Sequence, residues 1–171
     1  MQWLLFLSVW LISNTAPQEQ VNLVNVQADS LRIPVLNYQQ LKPLLHKEND
    51  TTYVVNFWAT WCAPCVKELP HFMAMDSLYQ GQPFKLLLVS LDFKKDYLRK
   101  LQPFAIERSL DDNVIVLEDN DANFWIGDIE STWGGSIPAT LVYRGKERLF
   151  LERTFEDVGE LTQIVKPFLN L

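Results

Sequence analysis

A strand that runs straight into a proline-bearing turn and a helix leaves a chain few ways to fold, and residues 54–79 carry that succession. Val54-Val55-Asn56-Phe57-Trp58 is mostly apolar, β-branched and aromatic, the composition of a strand covered on both faces. Ala59-Thr60-Trp61 then leads into Cys62-Ala63-Pro64-Cys65. Pro64 cannot continue a strand but fits the opening turn of a helix. Beyond it Val66, Leu69, Phe72, Met73, Met75 and Leu78 recur at helical spacing, which predicts a helix to residue 79. The chain has two cysteines, and both stand at this junction.

The placement has chemical consequences. A helix N-terminus presents unpaired backbone N–H groups and the positive end of the macrodipole, and so favours an anion. Cys62 is expected there as the more exposed thiol, its thiolate stabilised and its pKa lowered. Cys65 lies one turn further in, on the same helix face, so the pair can close a small disulfide or open it to attack a partner's. Two other readings fit the same spacing. One is half of a zinc site, but tetrahedral zinc takes about four ligands, and the two histidines, His46 and His71, form no second ligand pair. The other is an inert structural cysteine pair. Motif and strand-to-helix setting together favour redox chemistry.

The run Asn56-Phe57-Trp58-Ala59-Thr60-Trp61-Cys62-Ala63-Pro64-Cys65, with Glu68, Leu69 and Pro70 behind it, resembles the TlpA/ResA-like branch of the thioredoxin superfamily. The resemblance runs from about residue 30 to the end. It implies an α/β, thioredoxin-like fold: a central mixed sheet flanked by helices, carrying an inserted strand–helix unit. It also implies Cys62 as nucleophile, Cys65 as resolving thiol, and a redox-active disulfide between them.

A second site follows from Gly135-Ser136-Ile137-Pro138-Ala139-Thr140. A proline opening a strand is ordinarily a turn or edge device, with a trans bond. The resemblance instead implies a cis Pro138 lying against the cysteines, with the Ile137 backbone free to pair with an extended substrate and Gly134-Gly135 making the turn. Trp61, just before Cys62, is expected to cover the disulfide and offer a flat apolar docking surface, whereas Trp58 belongs to the core. Pro70 resembles a helix-kinking proline. Glu68 resembles the glutamate that handles protons in this branch, and a carboxylate partly buried near a thiol has its pKa raised. Asn56 stands where thioredoxins carry a buried acid and cannot titrate, which sharpens the expectation for Glu68. His71 is expected on the helix surface. His46 is expected at the end of a helix, where a cation complements the dipole.

The remaining elements alternate. Residues 32–36 read as a short strand, 38–46 as a helix limited by Pro43, 84–91 as a strand and 94–107 as a surface helix interrupted by Pro103. A strand at 114–117 and a helix at 122–129 precede a hairpin, 139–143 and 149–153, around Arg144-Gly145-Lys146-Glu147. An amphipathic helix at 157–169 closes the chain, and such alternation argues for a parallel sheet. The order βαβα(βα)ββα matches the resemblance. Residues 31–171 form the expected domain, and 17–30 a polar lead-in with one short strand. Residues 1–16 read as a secretory signal: the apolar run 3–12 is followed by Ser13-Asn14-Thr15-Ala16, although its start lacks Lys and Arg and Pro17 follows the expected cleavage point.

A formal charge of −6 argues against nucleic acid, and no stretch is long enough for a confident membrane span. The function expected is an exported thiol–disulfide oxidoreductase acting on protein disulfides in the periplasm or cell envelope, without cofactor or metal. The resemblance implies a reductase recharged by a membrane thiol donor, with apocytochrome c cysteines among candidate substrates. The rivals are a redox-inactive binding module using the Ile137–Pro138 groove and a peroxide-reducing redoxin, whose sites usually lack this Trp-Cys-x-x-Cys arrangement.

Overall fold

A computed structural model describes residues 32–169. The expected signal segment and the strand expected in the lead-in lie outside them. In chain order the elements are β1 (Val35–Leu36), α1 (Tyr38–Leu41), β2 (Thr52–Trp58), α2 (Ala63–Leu78), β3 (Phe84–Ser90) and α3 (Gln102–Glu107). They continue through β4 (Val114–Leu117), α4 (Ala122–Ile129), β5 (Ala139–Arg144), β6 (Glu147–Leu151) and α5 (Val158–Val165). The six strands form one mixed sheet in the order β1-β4-β3-β2-β5-β6. β2 lies at its centre, parallel to β3 and antiparallel to β5.

The apolar run 54–58 takes this central place because both of its faces are covered. Successive side chains of a strand point to opposite faces. Val54 and Trp58 enter one core with Cys65, Leu69 and Phe72 of α2, Leu86 and Leu88 of β3 and Leu161 of α5. Val55 and Phe57 enter the other, with Tyr38, Val89, Ile115, Trp125, Trp133 and Leu141. Full burial of each such side chain is worth about 1.5–3 kcal/mol, which makes this strand the main anchor of both layers. Asn56 shares the parity of Val54 and Trp58, so its amide is carried to the α2 face.

The thioredoxin-like expectation holds, and the four strand–helix units read before the hairpin are all present, one more than the shorthand βαβα(βα)ββα spells out. β4 is the inserted strand: it pairs with β3 on one side and with the two-residue β1 on the other.

Prolines account for the differences in helix boundaries. The helix expected over 38–46 is α1 followed by a 3-10 turn, Lys42–Leu45, with Pro43 near its start. The helix expected over 94–107 is a 3-10 turn, a π turn (Tyr97–Leu101) and then α3, which opens at Pro103. Proline has no N–H to give to the preceding turn, so the hydrogen-bond ladder changes register there. The last helix gives way at Pro167 to a 3-10 turn, Lys166–Phe168. The hairpin is tighter than expected, since β5 and β6 leave only Gly145 and Lys146 between them. Gly145 has φ +54°, the conformation a two-residue hairpin asks of its first turn residue.

Candidate active site

Cys62 is the N-cap of α2, and its sulfur accepts the N–H of Cys65 at 3.4 Å. The two are joined as a disulfide with Cα atoms 5.3 Å apart. Cys65 is fully buried, whereas Cys62 retains 6% exposure and is the sulfur a partner reaches. On opening, a Cys62 thiolate inherits the N–H groups of the first helical turn, the setting that lowers a thiol pKa. α2 runs on through Pro70.

The opposite wall is the loop that opens β5. The Ile137–Pro138 bond is cis, and the Ile137 carbonyl oxygen lies 3.7 Å from Cys62 Sγ. Two side chains fix that loop. Trp133 donates its indole N–H to Ser136 O at 2.9 Å, and Glu152 accepts the N–H groups of Gly134 and Ser136 at 3.3 and 3.2 Å. Gly135 has φ +85°, and a Cβ there would sit 3.1 Å from Ile126 Cδ1, so glycine is needed twice over.

Beneath the disulfide, Glu68 and Asn56 meet. Glu68 is 1% exposed, which exceeds the partial burial expected. Its Oε1 accepts Asn56 Nδ2 at 3.2 Å, and its Oε2 accepts the N–H of Phe155 at 3.0 Å. Burial raises its pKa to about 7, against the opposing pull of the Phe155 and Asn56 hydrogen bonds and of Arg153. Asn56 Nδ2 also donates to Thr140 Oγ1 at 3.1 Å, while Asn56 Oδ1 has no partner among the described residues. A small cavity of about 120 Å³, lined by Pro64, Lys67, Glu68 and residues 154–156, leaves room for water beside the carboxyl. A carboxyl that ionises near neutrality, one helical turn from the buried cysteine, can take or return a proton there.

Two residues of the site carried no weight in the sequence. Asp92, 4% exposed, accepts the Thr60 N–H at 3.0 Å and the Thr60 and Ser90 hydroxyls, tying the end of β3 to the turn before Trp61. Phe93 follows it and stacks on Trp61, ring centroids 6.1 Å apart and planes 20° apart. Trp61 thus forms an exposed aromatic pair with Phe93. The one available signal was position: ligands of open α/β sheets gather at the carboxyl ends of strands, and Asp92-Phe93 follows such an end. Trp58 is core, as expected. His71 is half-buried on α2 rather than fully at the surface. His46 ends its 3-10 turn, but lost solvation and the charges of Arg148 and Lys42 lower its pKa, so it is neutral there rather than a cation. Among the described residues no group of three or more His, Cys, Asp or Glu gathers to hold a metal ion.

Fold and site together define a thioredoxin-like dithiol–disulfide protein. The chain belongs to the AhpC/TSA family, whose model matches residues 18–147. Curated relatives named thiol-disulfide oxidoreductase ResA are similar to it, consistent with the ResA/TlpA-like resemblance. The ResA of Geobacillus thermodenitrificans is 30% identical over 118 residues, 66% of this chain and 62% of that protein. The ResA of Oceanobacillus iheyensis is 29% identical over 84 residues, 49% of this chain and 38% of its own. The chain therefore spans less than two thirds of either relative. A secreted thiol-disulfide isomerase from Corynebacterium glutamicum shares the fold, with TM-score 0.58, 19% identity and coverage of 72% and 73% of the two chains.

Proposed function

We propose that this protein is an exported thiol–disulfide oxidoreductase that reduces protein disulfides through Cys62 and Cys65. The observation that carries the reading is the disulfide at the N-cap of α2, its outer sulfur against the Ile137 carbonyl and a buried Glu68 one turn behind. In the reduced protein the Cys62 thiolate attacks a substrate disulfide, forming a mixed disulfide and releasing one substrate thiolate. Cys65 gives its proton to the Glu68 carboxylate and attacks Cys62 Sγ. The Cys62–Cys65 disulfide forms, the second substrate thiolate leaves, and two electrons have passed to the substrate. Glu68 returns the proton through the cavity beside it. Trp61 and the Ile137–Pro138 backbone hold the substrate on either side of Cys62. A thiol donor at the membrane restores the dithiol, and apocytochrome c cysteines are the candidate natural substrates.

Export to the periplasm or cell envelope is supported by the apolar run 3–12 and by the secreted fold relative. No helix among the described residues is long and apolar enough to cross a membrane.

The reading is tested by insulin reduction with dithiothreitol as donor and by trapping. Cys65→Ser accumulates a mixed disulfide through Cys62, and Cys62→Ser traps little. Equal trapping by both variants, or hydroperoxide turnover without insulin reduction, overturns it.

A further inference from the structure

Resting on the oxidoreductase reading above, we propose that Phe93 and Trp61 form one aromatic platform that selects substrate disulfides by an apolar side chain flanking the attacked cysteine, with Phe93 the specificity-determining residue. Trp61 and Phe93 are 55% and 58% exposed. Among the large exposed apolar side chains of the described residues, these two stack on each other. Contiguous exposed apolar surface of this kind marks an interaction site.

Its position names the occupant. Trp61 is the residue before Cys62, and the Ile137 carbonyl oxygen lies 3.7 Å from the Cys62 sulfur. A polypeptide whose disulfide is attacked by Cys62 must therefore run between a backbone edge and two rings. An extended chain advances about 3.3 Å per residue, so rings 6.1 Å apart cover roughly two of its residues. An aromatic or long aliphatic side chain within two residues of the cysteine lands on the platform, and a small polar one leaves the rings in water. The occupant is an extended segment.

The platform is built before the substrate arrives. The buried Asp92 carboxylate takes hydrogen bonds from the Thr60 backbone, the Thr60 hydroxyl and the Ser90 hydroxyl, so the turns bearing Trp61 and Phe93 are fixed to one another. Fixing a binding surface beforehand lowers the ordering cost of each encounter. Lys95 Nζ lies 5.6 Å from the Phe93 ring centre and closes the far rim with positive charge.

The experiment uses the full chain and two synthetic peptides, each with one cysteine in mixed disulfide with glutathione. They differ only in carrying Phe or Ser two residues from that cysteine. The readout is the ratio of their kcat/KM values with dithiothreitol supplying electrons and protons, since a ratio cancels any general change in activity. The parent is expected to favour the Phe peptide by about 5–10-fold, the worth of one aromatic contact. Phe93→Ser should bring the ratio to about 2 or less, and Phe93→Trp should restore it. A parent ratio near one, or an unchanged ratio in Phe93→Ser, overturns the platform while leaving the oxidoreductase reading intact. No turnover of either peptide or of glutathione disulfide overturns both.

Discussion

Glu68 and Asp128 each accept two hydrogen bonds, yet they are driven to opposite charge states. Asp128 sits at the rim of the core formed by α1 and α4, taking the Tyr38 hydroxyl at 2.6 Å and Lys42 Nζ at 2.7 Å. The Lys42 and Tyr38 bonds hold its pKa below the ordinary carboxylate value. Glu68 sits beneath the disulfide and takes two neutral N–H donors, and its pKa rises to about 7. The Asp128 bonds are short and converge on one oxygen, whereas Glu68 takes one longer bond on each oxygen. What also differs is burial and a directly bonded cation: Asp128 is part-exposed and paired with Lys42, whereas Glu68 is 1% exposed and accepts only neutral N–H donors. Desolvation outweighs two neutral hydrogen bonds, and a carboxyl becomes useful near pH 7 for that reason.

The largest break in this comparison is Asn56→Asp, which sets a second carboxyl against Glu68 Oε1, where the amide now lies 3.2 Å away. Two buried carboxyls at that spacing cannot both ionise, so the pair titrates as a unit with one pKa pushed strongly upward. The variant should lose roughly 4 kcal/mol at pH 8, the scale of an uncompensated buried charge, and recover most of it at pH 5. Urea unfolding at both values is the check. An equal loss at pH 5 and pH 8 would mean that the defect is packing and not charge.

Glu68→Gln sharpens the comparison by keeping shape and removing the proton. A carboxyl raised from 4.5 to about 7 favours the folded protein most when protonated. Its contribution is complete below pH 4.5, declines as pH rises to about 7, and is lost above that. At about 1.4 kcal/mol for each tenfold in ionisation constant, the parent should lose roughly 3 kcal/mol across this window through Glu68. The Gln variant lacks that slope but loses one of the two N–H bonds, so its stability should be lower than the parent's at acid pH and the gap should narrow as pH rises through 7. Its turnover should fall about tenfold at pH 7 and lose the limb near pH 7. That is below the ~10²–10⁴ of full general acid–base assistance, because water in the adjoining cavity can stand in. Superimposable stability and rate profiles would reduce Glu68 to a spectator.

The local half of this site was readable in the chain. A β-branched run and a proline after the turn pointed to the strand and the helix, while the cysteine spacing allowed a disulfide that the family resemblance implied. Period-two alternation alone carries Asn56 to the α2 face. The cis bond at Pro138 and the interest of Glu68 came through family resemblance, since spacing favours neither. Long-range contacts were not readable. The Phe155 N–H that holds Glu68 lies 87 positions away in the chain, and Glu152 pins the Gly134–Ser136 backbone from the end of β6. Backbone donors leave no trace in residue type. Asp92 reads as an ordinary acidic residue until the fold sets it beside Thr60. Helix ends near Pro43, Pro103 and Pro167 slipped because a 3-10 or π turn preserves apolar spacing over so few residues.

The smallest effect is expected from Asp128→Asn, and its value lies in the shape of the response. The amide oxygen still accepts the Tyr38 hydroxyl, so only the ion pair with Lys42 is lost, between side chains 31% and 43% exposed. Exposed pairs of this kind contribute little, and Tm should fall by no more than about 4 °C. A pKa lowered from 3.8 means that the contribution is complete above that value and is lost as pH falls through the folded one. The difference between parent and variant should therefore be flat from pH 5 to pH 8, where Glu68 produces most of its slope, and should shrink as pH falls below 3.8. It should also fade in about 1 M salt, where the screening length drops to roughly 3 Å. A larger, salt-independent loss would place the weight on the Tyr38 bond instead of the ion pair, and hydrogen bonding would then matter more at the rim than beneath the disulfide.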